Sequence, residues 1–113
     1  MKKGFFFLAA LMVLQFAAQS QSTVYPTHWW TGMKNNKLQL MIHGEGIGNS
    51  EQVAIKYPGV QMLKLHRAEN KNYLFVDLQI GAETKPGTFQ IILSGKGNKQ
   101  SIPYSLKKRS AEN

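Results

Sequence analysis

The segment that decides the fold of this chain is Tyr73-Leu74-Phe75-Val76-Asp77-Leu78-Gln79-Ile80. Aliphatic residues occupy every second position, and Phe75, Asp77 and Gln79 stand between them. Successive side chains of a β-strand point to opposite faces of a sheet, so this alternation predicts a strand with one face on a core. We therefore expect Phe75 and Asp77 on the outer face.

The chain before this segment carries three more stretches with the same alternation. The third of them is the least regular, and there we expect Leu63 and Leu65 to face inward. Glycine, asparagine and proline mark the turns that separate these stretches. The predicted strands cover residues 38–43, 52–57 and 60–67.

Two alternating stretches follow it, at residues 88–94 and 102–106, and Gly95-Lys96-Gly97-Asn98 between them is typical of a tight hairpin. The whole pattern amounts to about seven or eight short strands, with a turn signal roughly every eight to twelve residues and no helical period. The sequence therefore predicts an all-β fold, an antiparallel β-sandwich of immunoglobulin-like type.

The amino terminus has the features of a secretion signal. A basic start is followed by an apolar run over residues 5–16, and small residues at Ala18 and Ser20 suit a cleavage site. A run of about twelve apolar residues is short for crossing a bilayer. We expect residues 1–20 to be a signal peptide, the product to be periplasmic or secreted, and no membrane span to remain after cleavage.

The remainder is long enough for one small domain, which we place at residues 21–107, with 108–113 as a linker or a truncated end. The chain has no cysteine, so no disulfide stabilises it. Its formal net charge is +8, and two of the lysines fall in the predicted signal. The basic residues are scattered apart from the run Lys107-Lys108-Arg109, and without an arginine-rich face we expect no nucleic-acid partner.

The residue types needed for catalysis are not arranged for it. A glycosidase requires two carboxylates at a defined separation, and no pair of the six acidic residues is singled out by its position. The histidines His28, His43 and His66 lie on different predicted elements, so we expect no metal site. We expect no cofactor, since Gly44-Glu45-Gly46-Ile47-Gly48 is followed by no helix of a phosphate loop. As given, the chain is not a complete enzyme.

The densest cluster of aromatic residues is the stretch from Tyr25 to Trp30, which holds both tryptophans of the chain. On a strand, Trp29 and Trp30 must point to opposite faces, so one should be buried and the other should face outward. The outward ring either covers an edge or a domain interface, or stacks on a sugar with help from Tyr25 or His28. The outward Phe75 is a candidate interface residue.

Several separated motifs resemble a known module over essentially the whole mature chain. The motifs, in order, are Tyr25-Pro26-x-x-Trp29-Trp30-x-Gly32-Met33-Lys34-Asn35, Leu38-Gln39-Leu40-Met41, Tyr57-Pro58-Gly59-Val60, Asn72-Tyr73-Leu74-Phe75-Val76, Lys85-Pro86-Gly87-Thr88-Phe89 and Tyr104-Ser105-Leu106-Lys107. The module that they resemble is the amino-terminal domain of bacterial cyclomaltodextrinases and neopullulanases, exported members of the α-amylase superfamily of the Bacteroidetes.

The resemblance implies an immunoglobulin-like sandwich that precedes a catalytic (β/α)₈ barrel acting on α-1,4 and, in some members, α-1,6 glucosidic links. The catalytic carboxylates and any calcium site of that family have no counterpart here, because this chain ends where the barrel should begin. The implied role is support, through docking on the barrel, pairing of subunits in a homodimer, or contact with maltodextrin or cyclodextrin. The alternative is a free-standing exported β-sandwich that binds carbohydrate or a protein.

Overall fold

The computed structural model describes residues 22–109, so the predicted signal peptide lies outside the described residues. This part of the chain forms eight strands and one short 3₁₀ turn at Ile47–Asn49, which confirms an all-β fold. The strands are β1 (Thr23–Tyr25), β2 (His28–Thr31), β3 (Lys37–His43), β4 (Gln52–Ile55), β5 (Val60–Arg67), β6 (Tyr73–Ile80), β7 (Gly87–Gly95) and β8 (Asn98–Lys108).

The strands form two four-stranded sheets, in the orders β1-β3-β6-β5 and β2-β8-β7-β4. Neighbouring strands are antiparallel except β2 and β8, which are parallel. The first two strands are edge strands of different sheets, so the chain crosses between the sheets at Pro26 and Thr27. This is the strand order of an immunoglobulin sandwich whose first strand is divided between the sheets. The predicted fold class is confirmed.

The core lies between the sheets and is built from the alternating positions. In β6 the side chains of Leu74, Val76 and Leu78 are fully buried, and they face Ile91 and Tyr104 among the inward residues of the second sheet. Burying one large apolar side chain contributes about 1.5–3 kcal/mol, so these rows supply most of the stability available to a domain without disulfides. Burial also raises the pKa of the Tyr104 hydroxyl.

The hairpin between β7 and β8 confirms the predicted turn. Gly95 pairs with Asn98, which leaves Lys96 and Gly97 as a two-residue loop. Both loop residues have positive φ, 41° and 82°, as a type I′ turn requires. The turn fixes the register of the two longest strands of the second sheet.

The third predicted strand is correct in extent but wrong for Leu63. The register of β5 against β6 shifts between Met62, which faces Leu78, and Lys64, which faces Asp77. This bulge adds one residue to β5, and Leu63 is 44% exposed, whereas Leu65 packs on the core as expected. The sequence pattern that placed Leu63 inward continues through this segment, but the bulge changes the direction of its side chain.

The two faces of β3 should respond very differently to truncation. Leu40 is fully buried, so we expect Leu40→Ala to lower the free energy of unfolding by about 2–5 kcal/mol through lost burial and an unfilled cavity. The exposed Lys37 on the same strand is the control, and Lys37→Ala should change it by less than about 0.5 kcal/mol. Urea unfolding followed by circular dichroism measures both; similar losses for the two variants would contradict the assignment of the core face.

Candidate functional site

The two tryptophans lie on β2, at the edge of the second sheet. Neither ring is buried, contrary to the expectation for one of them: both are half-buried, and they contact each other at this edge. Trp29 is the register partner of Leu106, which is 3% exposed, and its ring packs against the core. Trp30 is opposite the exposed Lys107, and His28 is opposite Ser105, so both lie on the outer face. The alternation therefore assigns Trp29 to packing and leaves Trp30 as the outward ring.

Trp30 is held in place by its neighbours rather than being loose on the surface. Its ring centroid is 5.1 Å from that of His28, with the planes at 77°, an edge-to-face contact. Its centroid is 5.3 Å from that of Trp29. The Nδ1 atom of His28 lies 3.2 Å from the Oγ1 of Thr27. The outward indole is half-buried as a result, and these ring contacts orient it.

Polar side chains continue the outer face of the second sheet beyond this aromatic edge. Ser105 faces His28 on one side and Thr88 on the other, and the hydroxyls of Ser105 and Thr88 are 3.2 Å apart. Further along the same face, the Ser101 hydroxyl donates diagonally across the strand pair to Gln90 Oε1 at 2.7 Å. An aromatic ring beside a row of hydroxyl and amide groups can contact a ligand that is apolar on one face and hydroxylated at its edges.

The other two candidate residues lie on the first sheet. Tyr25 is the register partner of Met41, and Met41 is in turn the partner of Phe75, so the three form one row across β1, β3 and β6 on the outer face. Tyr25 is 49% exposed and Phe75 is half-buried. The structure thus brings His28 together with Trp30, and Tyr25 together with Phe75, but it places the two groups on different sheets.

A polar cluster lies next to Phe75 that sequence reasoning missed. His66 Nε2 donates to Asp77 Oδ2 at 2.6 Å, and the amide of Gln39 donates to Oδ1 of the same carboxylate at 2.9 Å. These two hydrogen bonds, that of His66 first, hold the pKa of Asp77 below its usual value. The three residues come from β5, β6 and β3, so only the register of the strands brings them together.

Within residues 22–109, no group of three or more histidine, cysteine or acidic side chains is close enough to hold a metal ion. None of the helical segments in this described part is long and apolar enough to cross a membrane.

Eight strands in this order, with an ordered aromatic edge, define an immunoglobulin-like β-sandwich module. Residues 23–110 match the family described as cyclomaltodextrinase, N-terminal, and the chain belongs to that family. The match supports a non-catalytic module of a glycoside hydrolase. Among solved structures, the chain is similar to a chimeric titin Z1Z2 functionalized with a KLER exogenous peptide from decorin, at 15% identity and a TM-score of 0.45, covering 80% of this chain and 97% of that one.

The lowered pKa of Asp77 makes acid stability depend on this carboxylate. The native state holds the charged form more strongly than the unfolded chain does, so the stabilisation is complete above the usual aspartate pKa and is lost as the pH falls through the lower native value. We expect the urea midpoint of the wild type to fall between about pH 5 and pH 3, and the midpoint of Asp77→Asn to fall less over the same range.

Glu69, in the exposed turn between β5 and β6, offers a matched carboxylate as control. The Glu69→Gln variant should keep the pH dependence of the wild type. Equal pH dependence in the wild type and Asp77→Asn would show that the hydrogen bonds of Asp77 do not contribute to stability.

Proposed function

We propose that this chain is the non-catalytic amino-terminal module of an exported α-glucan-degrading hydrolase, and that it contacts maltodextrin or cyclodextrin at the edge formed by His28 and Trp30. The observation that carries the proposal is the half-buried Trp30 ring, fixed edge-to-face against His28 on the outer face of the second sheet. Membership in the cyclomaltodextrinase N-terminal family supports an α-glucan as the sugar.

The chemistry of this edge suits a neutral oligosaccharide. Indole supplies a large apolar surface for the C–H face of a glucose ring. The hydroxyls of Ser105 and Thr88 can both donate and accept hydrogen bonds. They can therefore pair with a sugar hydroxyl whether it acts as donor or as acceptor. Because the indole is already ordered by its neighbours, little side-chain entropy would be lost on binding.

Calorimetric titration of the mature chain with maltoheptaose and with β-cyclodextrin tests this role. We expect saturable binding in the wild type and, in Trp30→Ala, binding weaker by about tenfold or more, since an aromatic anchor contributes more than about 1 kcal/mol to binding. The control is Phe75→Ala, which removes an outward aromatic ring from the other sheet and should leave sugar binding unchanged. A Trp30→Ala variant that folds normally and binds as the wild type does would refute the proposal.

A second role, the pairing of subunits, is favoured by the outer face of the first sheet. Its row of Tyr25, Met41 and Phe75 consists of residue types that are enriched where proteins contact each other. A neighbouring row contributes His43 and Tyr73, whose ring centroids are 4.7 Å apart. The occupant proposed for this face is a second copy of the chain.

Sedimentation equilibrium over a range of concentrations tests the pairing. We expect a reversible dimer, and Phe75→Ser should weaken it by about tenfold or more because it removes the central ring of the row. Thr88→Ala, on the outer face of the other sheet, is the control and should leave the dimer intact. A monomer at every concentration would exclude this role and would leave the sugar contact of Trp30 unaffected.

A further inference from the structure

Positive charge is concentrated at one end of the sandwich, which we call the exit end because the strand β8 finishes there. The end comprises the turns at residues 32–36, 56–59 and 81–86 together with the start of β3 and the end of β8. It carries seven basic residues and one acidic residue, Glu83. The basic residues are Lys34, Lys37, Lys56, Lys85 and the run Lys107-Lys108-Arg109.

The opposite end has no comparable excess of charge. There Arg67, Lys71, Lys96 and Lys99 are offset by Glu45, Glu51 and Glu69. All six lysines of the exit end are exposed, and none of them forms an ion pair with another residue of the 22–109 range. Nearly all of the net positive charge of residues 22–109 therefore lies at the exit end, where an anionic partner can reach it.

A cleft of about 540 Å³ lies between two turns at the centre of the exit end. Tyr57, Pro58 and Ala82 give it a largely apolar lining, to which Glu83 and Lys85 add one charge of each sign. The turns are tied together, because the Tyr57 hydroxyl donates to the Lys85 carbonyl at 2.8 Å and the Gly81 N–H donates to the Gly59 carbonyl at 2.8 Å. A preformed, largely apolar cleft with a polar rim is the arrangement found in protein interfaces.

The path of the chain indicates which partner this surface contacts. Arg109 lies at this end, where its guanidinium donates to the Gly32 carbonyl at 3.3 Å, and residues 110–113 continue from it. In an amino-terminal module, the polypeptide that follows is held beside this surface at high effective concentration. We propose that the exit end docks an acidic surface of the polypeptide that follows the module. This inference rests on the proposed function.

Other anionic partners fit the structure less well. Lipid headgroups and nucleic acids would both be recognised through phosphate groups. Phosphate recognition favours the planar fork of arginine, whereas six of the seven basic residues here are lysines.

Two triple variants with equal change in net charge test the surface, with poly-L-glutamate of about 50 residues as the acidic polypeptide probe. The exit-end variant is Lys34→Gln, Lys56→Gln and Lys85→Gln, and the control variant is Lys71→Gln, Lys96→Gln and Lys99→Gln. At low salt we expect the first to weaken binding by about tenfold and the second by less than about twofold. Equal weakening would mean attraction to net charge alone and would overturn the proposal, as would tighter binding to phosphatidylglycerol vesicles or to oligothymidylate.

Cross-linking of the full-length gene product identifies the occupant. A carbodiimide joins lysine to carboxylate without a spacer, so we expect cross-linked peptides that connect Lys34, Lys56 or Lys85 to acidic residues beyond Asn113. Lys96 and Lys99 are the internal controls and should give none. A product that ends at Asn113, or cross-links confined to residues 22–113, would overturn the proposal. Neither readout depends on sugar binding at Trp30, so failure of one proposal can be told from failure of the other.

Discussion

The packing of the inward rows of β6 against those of β7 and β8 is the constraint on which the rest of the structure depends. The domain has no disulfide, so its stability comes from these rows. Their register has to be strict, since a slip of one residue would turn every buried side chain to the solvent and every polar one to the core. The outward positions of Phe75 and Asp77 follow from it: they face outward because Leu74, Val76 and Leu78 face inward.

The aromatic edge depends on the same constraint through β8. This strand pairs with β7 along most of its length, and its last residues also form a parallel pair with β2. Leu106 is buried in the core, so its register partner Trp29 must also face inward. Trp29 thereby anchors a four-residue strand, and Trp30, the next residue, is the register partner of the exposed Lys107 on the outer face. The role proposed for Trp30 thus depends on how Trp29 packs, although the two indoles are chemically identical.

Most of the fold follows from local features, whereas the site residues depend on strand pairing. The period of two in β6 and the glycine-containing turn after β7 are properties of short segments, and both were predicted from the sequence. The exposure of Leu63 and the contact of His66 with Asp77 depend on a bulge and on the partner strand, neither of which leaves a local signal. Alternation could show that the two tryptophans differ, but only the pairing with Leu106 shows which one faces inward.

The proposed sugar contact and the exit end are adjacent, because Trp30 is the register partner of Lys107 in the basic run. A glucan held on the outward indole would therefore lie beside whatever protein surface the lysines contact. The two contacts nevertheless differ in their physics. Stacking of a neutral sugar on indole involves no net charge and should be insensitive to salt, whereas attraction between lysines and an acidic surface is screened as ionic strength rises. The two proposed contacts are therefore physically independent, and neither would weaken the other.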